Sequence, residues 1–308
     1  MNGKILITDS LFIFPEHEQR IRDAGYEVER LNKVEATEEE LVAAITGKVG
    51  YILGGIEKVT QKVIDTGDEL KAIVFTGIGY KEFIPAWEYA KSKGIAIANT
   101  PDTPTHAVAE WALAVTLAMN RGIFELGPTG DKKFLTTKGL EGQRVGIIGL
   151  GRIGKHIAEI LSLFRPACIS YWSRHSRSEE GVTYQELDTL LAQSDIVFLC
   201  VSKDAGNNFI GAKELARMKQ GALLVMFGHE GLVDEEALLK ELQNRRIRGA
   251  SDSIGKDEAF KKLPLSHWFR FNASNAFNTE TELKLTSDTA TDSLLNLLAN
   301  GEDKNRVV

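Results

Sequence analysis

Three glycines with the spacing Gly-x-Gly-x-x-Gly carry the clearest chemical signal in this sequence. They follow the apolar, strand-like run Arg144–Ile148 and precede a helical pattern that continues to Phe164. In such a turn the first glycine permits a tight bend, the second lets a pyrophosphate approach the backbone, and the third lets the helix pack on the strand. The amino end of the helix offers N–H groups and partial positive charge to phosphates. The alternative is a glycine-rich turn that binds no ligand. The predicted cofactor-binding residues of this turn are Gly149, Gly151, Arg152, Ile153 and Gly154.

The end of the following strand bears on the choice of cofactor. In NAD-binding folds of this kind an Asp or Glu at that point binds the ribose 2′-hydroxyl group. Here the strand Ala167–Trp172 is followed by SRHSR, residues 173–177, which contains no acid. Arginine is well shaped to bind a phosphate. We therefore expect Ser173, Arg174 and Arg177 to bind a 2′-phosphate, which favours NADP(H). The alternative is a solvated basic loop that accepts NAD(H).

Composition excludes several functional classes. The 308 residues are enough for two domains, and the formal net charge of −6 argues against a nucleic-acid binder and a polybasic membrane anchor. No run of 18 apolar residues occurs, so no membrane partner is expected. The two cysteines, Cys168 and Cys200, are too few for a zinc cage, and no metal site is predicted. The amino-terminal sequence lacks a signal-peptide pattern, so a cytoplasmic protein is expected.

Strand-like and helical runs alternate in two series, which is typical of α/β domains with parallel sheets. The first series covers residues 1–99. A proline-rich break at Asn99–Thr105 leads into a long predicted helix, Thr103–Arg121. The polar segment Gly122–Gly142 has the length of an interdomain connection. The second series begins at Gln143, and a predicted helix over Thr279–Asn300 follows it.

Short motifs are spread over nearly the whole chain. They include Thr76-Gly77-Ile78-Gly79, Asn99-Thr100-Pro101, Val108-Ala109-Glu110, the segments Val145–Gly154 and Gly231–Leu238, and Gly249-Ala250-Ser251-Asp252. Together they resemble the D-isomer-specific 2-hydroxyacid dehydrogenase family. The resemblance implies two Rossmann-like, doubly wound parallel-sheet domains. The dinucleotide-binding domain, residues 100–275, would be inserted into a flavodoxin-like substrate domain formed by residues 1–99 and 276–308. It also implies an active-site cleft between the domains, a small-molecule substrate and a homodimer.

The resemblance brings out departures at the catalytic positions. The family's arginine, which grips the substrate carboxylate and carbonyl, corresponds to His229, and its histidine, the general acid/base, corresponds to Asn275. The family's glutamate falls at Asp257 or Glu258. An imidazole can shuttle a proton near neutral pH, whereas an amide can only donate a hydrogen bond to a carbonyl. The expected catalytic residues are therefore His229, Asn275 and Asp257. His229 would either supply the proton or pack as a neutral side chain.

Further site residues follow from the same resemblance. The backbone amides of Gly77, Ile78 and Gly79 would form an anion site for the substrate carboxylate. Tyr80 would contact the substrate, with a merely exposed residue as the alternative. Asp252 matches the family's aspartate beside the nicotinamide carboxamide, and Val201, at the end of a strand-like run, is also placed in the cofactor site.

These residues leave three functions open. The first is an NADP(H)-dependent oxidoreductase with an altered active site, which reduces a carbonyl, an imine or an activated double bond. The second is a catalytically inactive NADP(H)-binding sensor or scaffold, because the arginine and the histidine are lost together. The third is an ordinary 2-hydroxyacid dehydrogenase that tolerates these changes, although loss of the acid/base should cost about 10²–10⁴-fold in rate. The intact glycine turn favours the first.

Overall fold

A computed structural model of the chain describes residues 2–8, 13–101, 103, 105–127, 136–176, 178–228, 231–255, 257–270 and 276–308. The strands are β1 (Lys4–Thr8), β2 (Glu27–Leu31), β3 (Lys48–Leu53), β4 (Ala72–Phe75), β5 (Ala96–Asn99), β6 (Arg144–Ile148), β7 (Cys168–Trp172), β8 (Thr183–Tyr184), β9 (Ile196–Leu199), β10 (Leu223–Met226), β11 (Arg248–Ser251) and β12 (Trp268–Arg270). The α-helices are α1 (Pro15–Asp23), α2 (Glu38–Ile45), α3 (Gln61–Thr66), α4 (Tyr80–Phe83), α5 (Trp87–Ser92), α6 (Thr105–Asn120), α7 (Ile123–Leu126), α8 (Arg152–Ser162), α9 (Leu187–Gln193), α10 (Ala212–Arg217), α11 (Glu235–Gln243), α12 (Glu258–Lys261) and α13 (Glu280–Asn300). Among the residues described, none of these helices is long and apolar enough to cross a membrane.

The chain divides into two compact units. Unit 1 comprises Met1–Pro104 and Thr279–Val308, and unit 2 comprises Thr105–Asn278. The sequence placed the divisions after residues 99 and 275, which are five and three residues earlier. The first difference has a local cause, because the segment after β5 is bonded into unit 1. Thr100 donates its N–H to the carbonyl of Gly77 at 3.1 Å, and Thr103 donates its hydroxyl to the carbonyl of Thr100 at 3.2 Å.

Unit 1 is a five-stranded parallel sheet in the order β2-β1-β3-β4-β5. Strands β1, β3, β4 and β5 are buried over most of their length, whereas the edge strand β2 is partly exposed. In β1, Leu6 faces the cluster formed with α2, α3 and α5, while Ile5 and Ile7 face the cluster formed with α1 and α13. The alternation of side chains along a strand therefore divides this core into two layers.

Unit 2 is a seven-stranded parallel sheet in the order β12-β11-β10-β9-β6-β7-β8. The chain starts in the middle at β6, winds outward through β7 and β8, and then returns to β9 on the other side of β6. The strand order reverses between β6 and β9, and open α/β sheets bind dinucleotides beyond the carboxyl ends of the strands at such a point. The two doubly wound parallel sheets confirm the predicted fold class.

Several elements differ from the sequence prediction. The segment Gly122–Gly142 lies within unit 2 and is not an interdomain connection. Its first residues form α7, where the ring of Phe124 stacks on that of Phe269 with centroids 4.5 Å apart. The two-residue strand β8 and the short helix α4 were not predicted, since two to four residues show no periodicity to recognise.

Candidate active site

The turn between β6 and α8 is held on both sides by neighbouring strands. Gly149 has φ +99°, a conformation that only glycine adopts readily, and a Cβ there would lie 2.8 Å from the backbone carbonyl of Cys200. Its N–H donates to the carbonyl of Trp172, at the end of β7, at 2.8 Å. The Val201 side chain lies on the same side of Gly149, 2.9 Å from the same Cβ position. The turn therefore lies where the ends of β7 and β9 meet that of β6.

The other two glycines of the turn have opposite surroundings. A Cβ on Gly151 would meet no atom within 4 Å, whereas a Cβ on Gly154 would lie 2.2 Å from the carbonyl oxygen of Gly149. Gly154 thus allows α8 to pack against the turn, and Gly151 leaves open space beside the backbone. The α8 helix begins with no side-chain cap and no acidic residue in its first turn, and Arg152 there is exposed. Open space beside uncapped helix N–H groups fits a dinucleotide pyrophosphate.

The residues predicted to select the cofactor follow β7 at the same edge of the sheet. Arg174 is exposed, and the Ser173 hydroxyl donates to the carbonyl of His175 at 2.6 Å. Arg177 lies outside the described residues. The carboxylate of Glu179, further along this segment, is bound by Lys155 of α8 at 2.6 Å. This edge therefore presents an exposed guanidinium, while the nearby carboxylate is already neutralised.

Asp252 follows β11 and accepts hydrogen bonds from residues that follow β10 and β12. Its carboxylate accepts a hydrogen bond from the backbone N–H of Gly228 at 3.1 Å. Ser253 donates its hydroxyl to the carbonyl of Gly228. Asp252 is 4 % exposed, and burial raises its pKa although the N–H groups of Gly228 and Ala276 stabilise the charge.

The structure describes only some of the candidate catalytic residues. His229 and Asn275 lie outside the described residues, next in sequence to Gly228 and Ala276. Asp257 is exposed and caps α12, its carboxylate accepting from the N–H of Ala259 at 2.8 Å. The exposed Glu258 pairs with Lys261 at 2.5 Å. The geometry therefore gives Asp257 a local capping role and leaves its catalytic role a prediction.

In unit 1 the predicted anion site lies in the loop after β4. The carbonyl of Ile78 accepts from the Asn99 side-chain amide at 2.9 Å, and the carbonyl of Gly77 accepts from Thr100. Within the part of the chain that the structure describes, the N–H groups of residues 77–79 have no acceptor. Tyr80 is half-buried, edge-on to Trp87 with ring centroids 6.4 Å apart. A loop whose carbonyls already accept hydrogen bonds, and whose N–H groups have no acceptor, can bind a carboxylate through those N–H groups.

Comparison with known proteins decides the family. The family model for the D-isomer specific 2-hydroxyacid dehydrogenase NAD binding domain matches residues 113–273. A hydroxypyruvate reductase of Thermotoga maritima is 32 % identical over 236 residues, which cover 73 % of this chain and 76 % of that protein. The chain belongs to the D-isomer-specific 2-hydroxyacid dehydrogenase family.

Two further relatives of this family member extend the comparison. A D-3-phosphoglycerate dehydrogenase of Synechocystis is 30 % identical over 268 residues, and the chain spans about half of its length, 47 %. A crystal structure of the TT0316 protein from Thermus thermophilus superimposes with a TM-score of 0.90 at 25 % identity, covering 99 % of this chain and 100 % of that one. The family comprises NAD(P)-dependent oxidoreductases, so membership confirms the predicted family and the dinucleotide-binding class.

Two histidine contacts were missed by the sequence prediction for this family member. His106 on α6 and His156 on α8 form a hydrogen bond of 2.7 Å between Nδ1 and Nε2, and Glu159 contacts the other nitrogen of His156 at 3.2 Å. In unit 1 the fully buried His17 contacts the carboxylate of Asp288 at 3.0 Å. These partners lie 50 and 271 residues apart, so no local pattern marks them.

Proposed function

We propose that this chain is an NADP(H)-dependent oxidoreductase with a non-standard active site. It reduces a carbonyl, an imine or an activated double bond of a small, acidic substrate. The observation that carries the proposal is the space beside Gly151 at the uncapped amino end of α8. That space lies at the strand-order reversal of unit 2, where a dinucleotide belongs. The bound cofactor supplies a hydride.

The preference for NADP(H) rests on the end of β7. Arg174 is exposed there, and its guanidinium can bind a 2′-phosphate. Residues 173–177 contain no acid that could bind the ribose 2′-hydroxyl of NAD(H). Ser173 and Arg177 are the further proposed ligands of that phosphate. Since Lys155 already binds Glu179, that carboxylate is not repelling the phosphate with a free charge. NAD(H) remains the alternative cofactor.

The acidic substrate is proposed from the loop after β4. Residues 77–79 offer N–H groups without an acceptor among the described residues, and a carboxylate is the group that such N–H groups bind. The carbonyls of Gly77 and Ile78 are held by bonds from Thr100 and Asn99, and that of Gly79 accepts from the N–H of Glu82. Tyr80, on the first turn after this loop, is the proposed side-chain contact.

The proton required for the reduction is proposed to come from His229. Its imidazole holds a transferable proton near neutral pH, whereas the Asn275 amide can only donate a hydrogen bond to the reacting oxygen or nitrogen. Asp257 is the proposed carboxylate partner. Asp252 is proposed to bind the carboxamide end of the cofactor, and its contacts to Gly228 and Ala276 would position the segments that carry His229 and Asn275.

The experiment is a fluorescence titration of the purified protein with NADPH and NADH, followed by an acceptor screen in NADPH. NADPH binding at least roughly tenfold tighter than NADH binding, about 1.4 kcal/mol, is expected. Turnover that His229→Ala lowers would support the proposed proton donor. NADPH binding without turnover of any acceptor would leave a cofactor-binding sensor or scaffold. Failure to bind either dinucleotide would overturn the proposal.

Two further properties stay predictions. A cytoplasmic location follows from the sequence expectation alone, and a homodimer follows from the family resemblance. The oligomeric state is measured directly by light scattering coupled to size exclusion, where a mass of 34.0 kDa would contradict the dimer.

A further inference from the structure

A pocket lies in unit 2, away from the glycine turn. It has a volume of about 400 Å³, within the range of small-molecule sites. Arg245 lies in the turn before β11, and His267 immediately precedes β12. In a parallel sheet the residues that precede strands lie at the edge opposite those that follow them, such as Gly149 and Asp252. The pocket is therefore at the amino edge of the sheet, separate from the candidate cofactor site. Its lining residues are Leu242, Gln243, Arg245, Ala259, Lys262, Leu263, Pro264 and His267.

The residues that line this pocket carry positive charge and no negative charge. Its titratable lining residues are Arg245, Lys262 and His267, and its lining includes no acid. Arg245 and Lys262 form no ion pair with any residue that the structure describes, although Arg246 is bound to Glu241. Burial, Arg245 and Arg248 lower the pKa of His267, and Glu125 is the acid that opposes them. In a chain of net charge −6, this is a local positive field.

The backbone of Arg245 is held in a left-handed conformation, as is that of Arg165 after α8. The φ of Arg245 is +53°, in the left-handed region that glycine normally occupies after a helix, and it follows the end of α11. The residue is held there by its N–H to the carbonyl of Leu242 at 3.0 Å and by the Gln220 amide, which donates to its carbonyl at 3.1 Å. Glycine would relieve the strain but would remove the guanidinium from the pocket.

We propose that this pocket binds a small phosphate monoester. The guanidinium of Arg245 offers a planar fork of donors to the phosphate oxygens, and the Lys262 ammonium adds a point charge. The His267 ring contributes a further N–H donor. The carbon part of the ligand rests on the apolar side chains of the lining, chiefly Leu242 and Leu263.

Binding of the dianion is coupled to protonation of His267. Besides burial, the charged groups that act on this ring are Arg245, Arg248 and Glu125, and the two arginines disfavour the imidazolium. Lys262 lines the same pocket. A bound dianion favours the imidazolium form of His267, so the ring takes up a proton when the dianion binds. Affinity for an anion of constant charge therefore rises as the pH falls from 7.5 to 5.5. Sulfate is such an anion.

The test is equilibrium dialysis of the full chain with radiolabelled sulfate at fixed ionic strength. Arg245→Gly keeps the left-handed backbone and removes the guanidinium, so it should fold and bind sulfate at least roughly tenfold more weakly. Lys262→Ala should also weaken binding severalfold. The matched control is Lys261→Ala, since Lys261 pairs with Glu258 outside the lining and should stay within about twofold of the unaltered chain. Equal sulfate binding by the unaltered chain and Arg245→Gly would overturn the proposal.

Two further arms test the ligand class and the coupled proton. Glycerol 3-phosphate should displace the sulfate at lower concentration than inorganic phosphate does, because its carbon part adds apolar contact. Displacement at equal concentrations would overturn the monoester assignment. The increase in sulfate affinity between pH 7.5 and 5.5 should disappear in His267→Gln, and its persistence would overturn the role of His267.

Discussion

The carboxylate of Asp252 accepts a hydrogen bond from the backbone N–H of Gly228, 3.1 Å away. The bond joins the carboxyl ends of β11 and β10, two neighbouring strands of unit 2. Burial raises the pKa of this carboxyl, so its charge is costly where it stands. His229 follows Gly228 directly in the sequence. The protonation state of one buried group is thus coupled to the start of the segment that carries the proposed proton donor.

Asp252→Asn is expected to raise the free energy of unfolding at pH 7. An acid whose folded pKa is raised destabilises the fold when ionised. This cost is present above the folded pKa and disappears as the pH falls through it towards the usual value of 3.8. The amide keeps an oxygen for the Gly228 N–H and removes the charge. Urea unfolding at pH 7 and pH 4 measures the difference, which should shrink at the lower pH. A less stable variant at pH 7 would contradict this explanation.

Asp288→Asn should show the opposite dependence on pH. Hydrogen bonds from Lys284 and His17 lower the pKa of Asp288. Its stabilisation is present above the unfolded pKa and is lost as the pH falls through the folded value. Because the Asp288 side chain is 38 % exposed, the expected loss at pH 7 is only about 1 kcal/mol. The same unfolding series measures it, and a loss that persists unchanged at acid pH would contradict the ion-pair origin.

Substitutions in the glycine turn should separate binding from folding. Gly151→Ala places its Cβ in open space and is expected to stay within about 1 kcal/mol of the unaltered stability while NADPH affinity falls roughly tenfold or more. Gly154→Ala places its Cβ 2.2 Å from the carbonyl oxygen of Gly149, so it should lose about 1–3 kcal/mol of stability. Thermal unfolding and fluorescence titration measure both variants. Unchanged NADPH affinity in Gly151→Ala would contradict the assignment of the pyrophosphate to this turn.

Arg174→Ala should change the preference between the two dinucleotides. Loss of a charge-assisted contact to the 2′-phosphate is expected to weaken NADPH binding by roughly tenfold and to leave NADH binding within about twofold. The matched control is Arg217→Ala, an exposed arginine of α10 that pairs with Asp188 at 3.0 Å. Competitive titration at two salt concentrations measures the effect. Equal losses for NADPH and NADH would assign Arg174 a general role in cofactor affinity instead.

Local signals in the sequence were sufficient for most of the fold. Buried strands such as β9 are continuous apolar runs, and the Thr37-x-x-Glu40 pattern predicts the capping box that begins α2. The positive φ of Gly149 and the crowding of Gly154 agree with the roles that the motif assigns to these glycines. These patterns depend on neighbouring residues along the chain, so the structures that they predict are present in the folded protein.

Long-range contacts escaped prediction for a physical reason. The bond between Asp252 and Gly228 exists only because β10 and β11 are neighbours, and nothing in the sequence around either residue encodes it. The pair of His106 and His156 likewise depends on the packing of α6 against α8. The bond from the N–H of Thr100 to the carbonyl of Gly77 also depends on β4 and β5 being neighbours.

The discontinuity of unit 1 has a consequence for the order of folding during synthesis. The α13 helix packs against β3, β4 and β5, so the part of that sheet face which α1 does not cover stays open until residues 280–300 have left the ribosome. Unit 2 is continuous in sequence and lies entirely before α13. At the usual rates of elongation its translation separates the first sheet from that helix by roughly 10–30 s. For that time the apolar face of unit 1 must be shielded by other means, and a chaperone that binds nascent chains would find its target there.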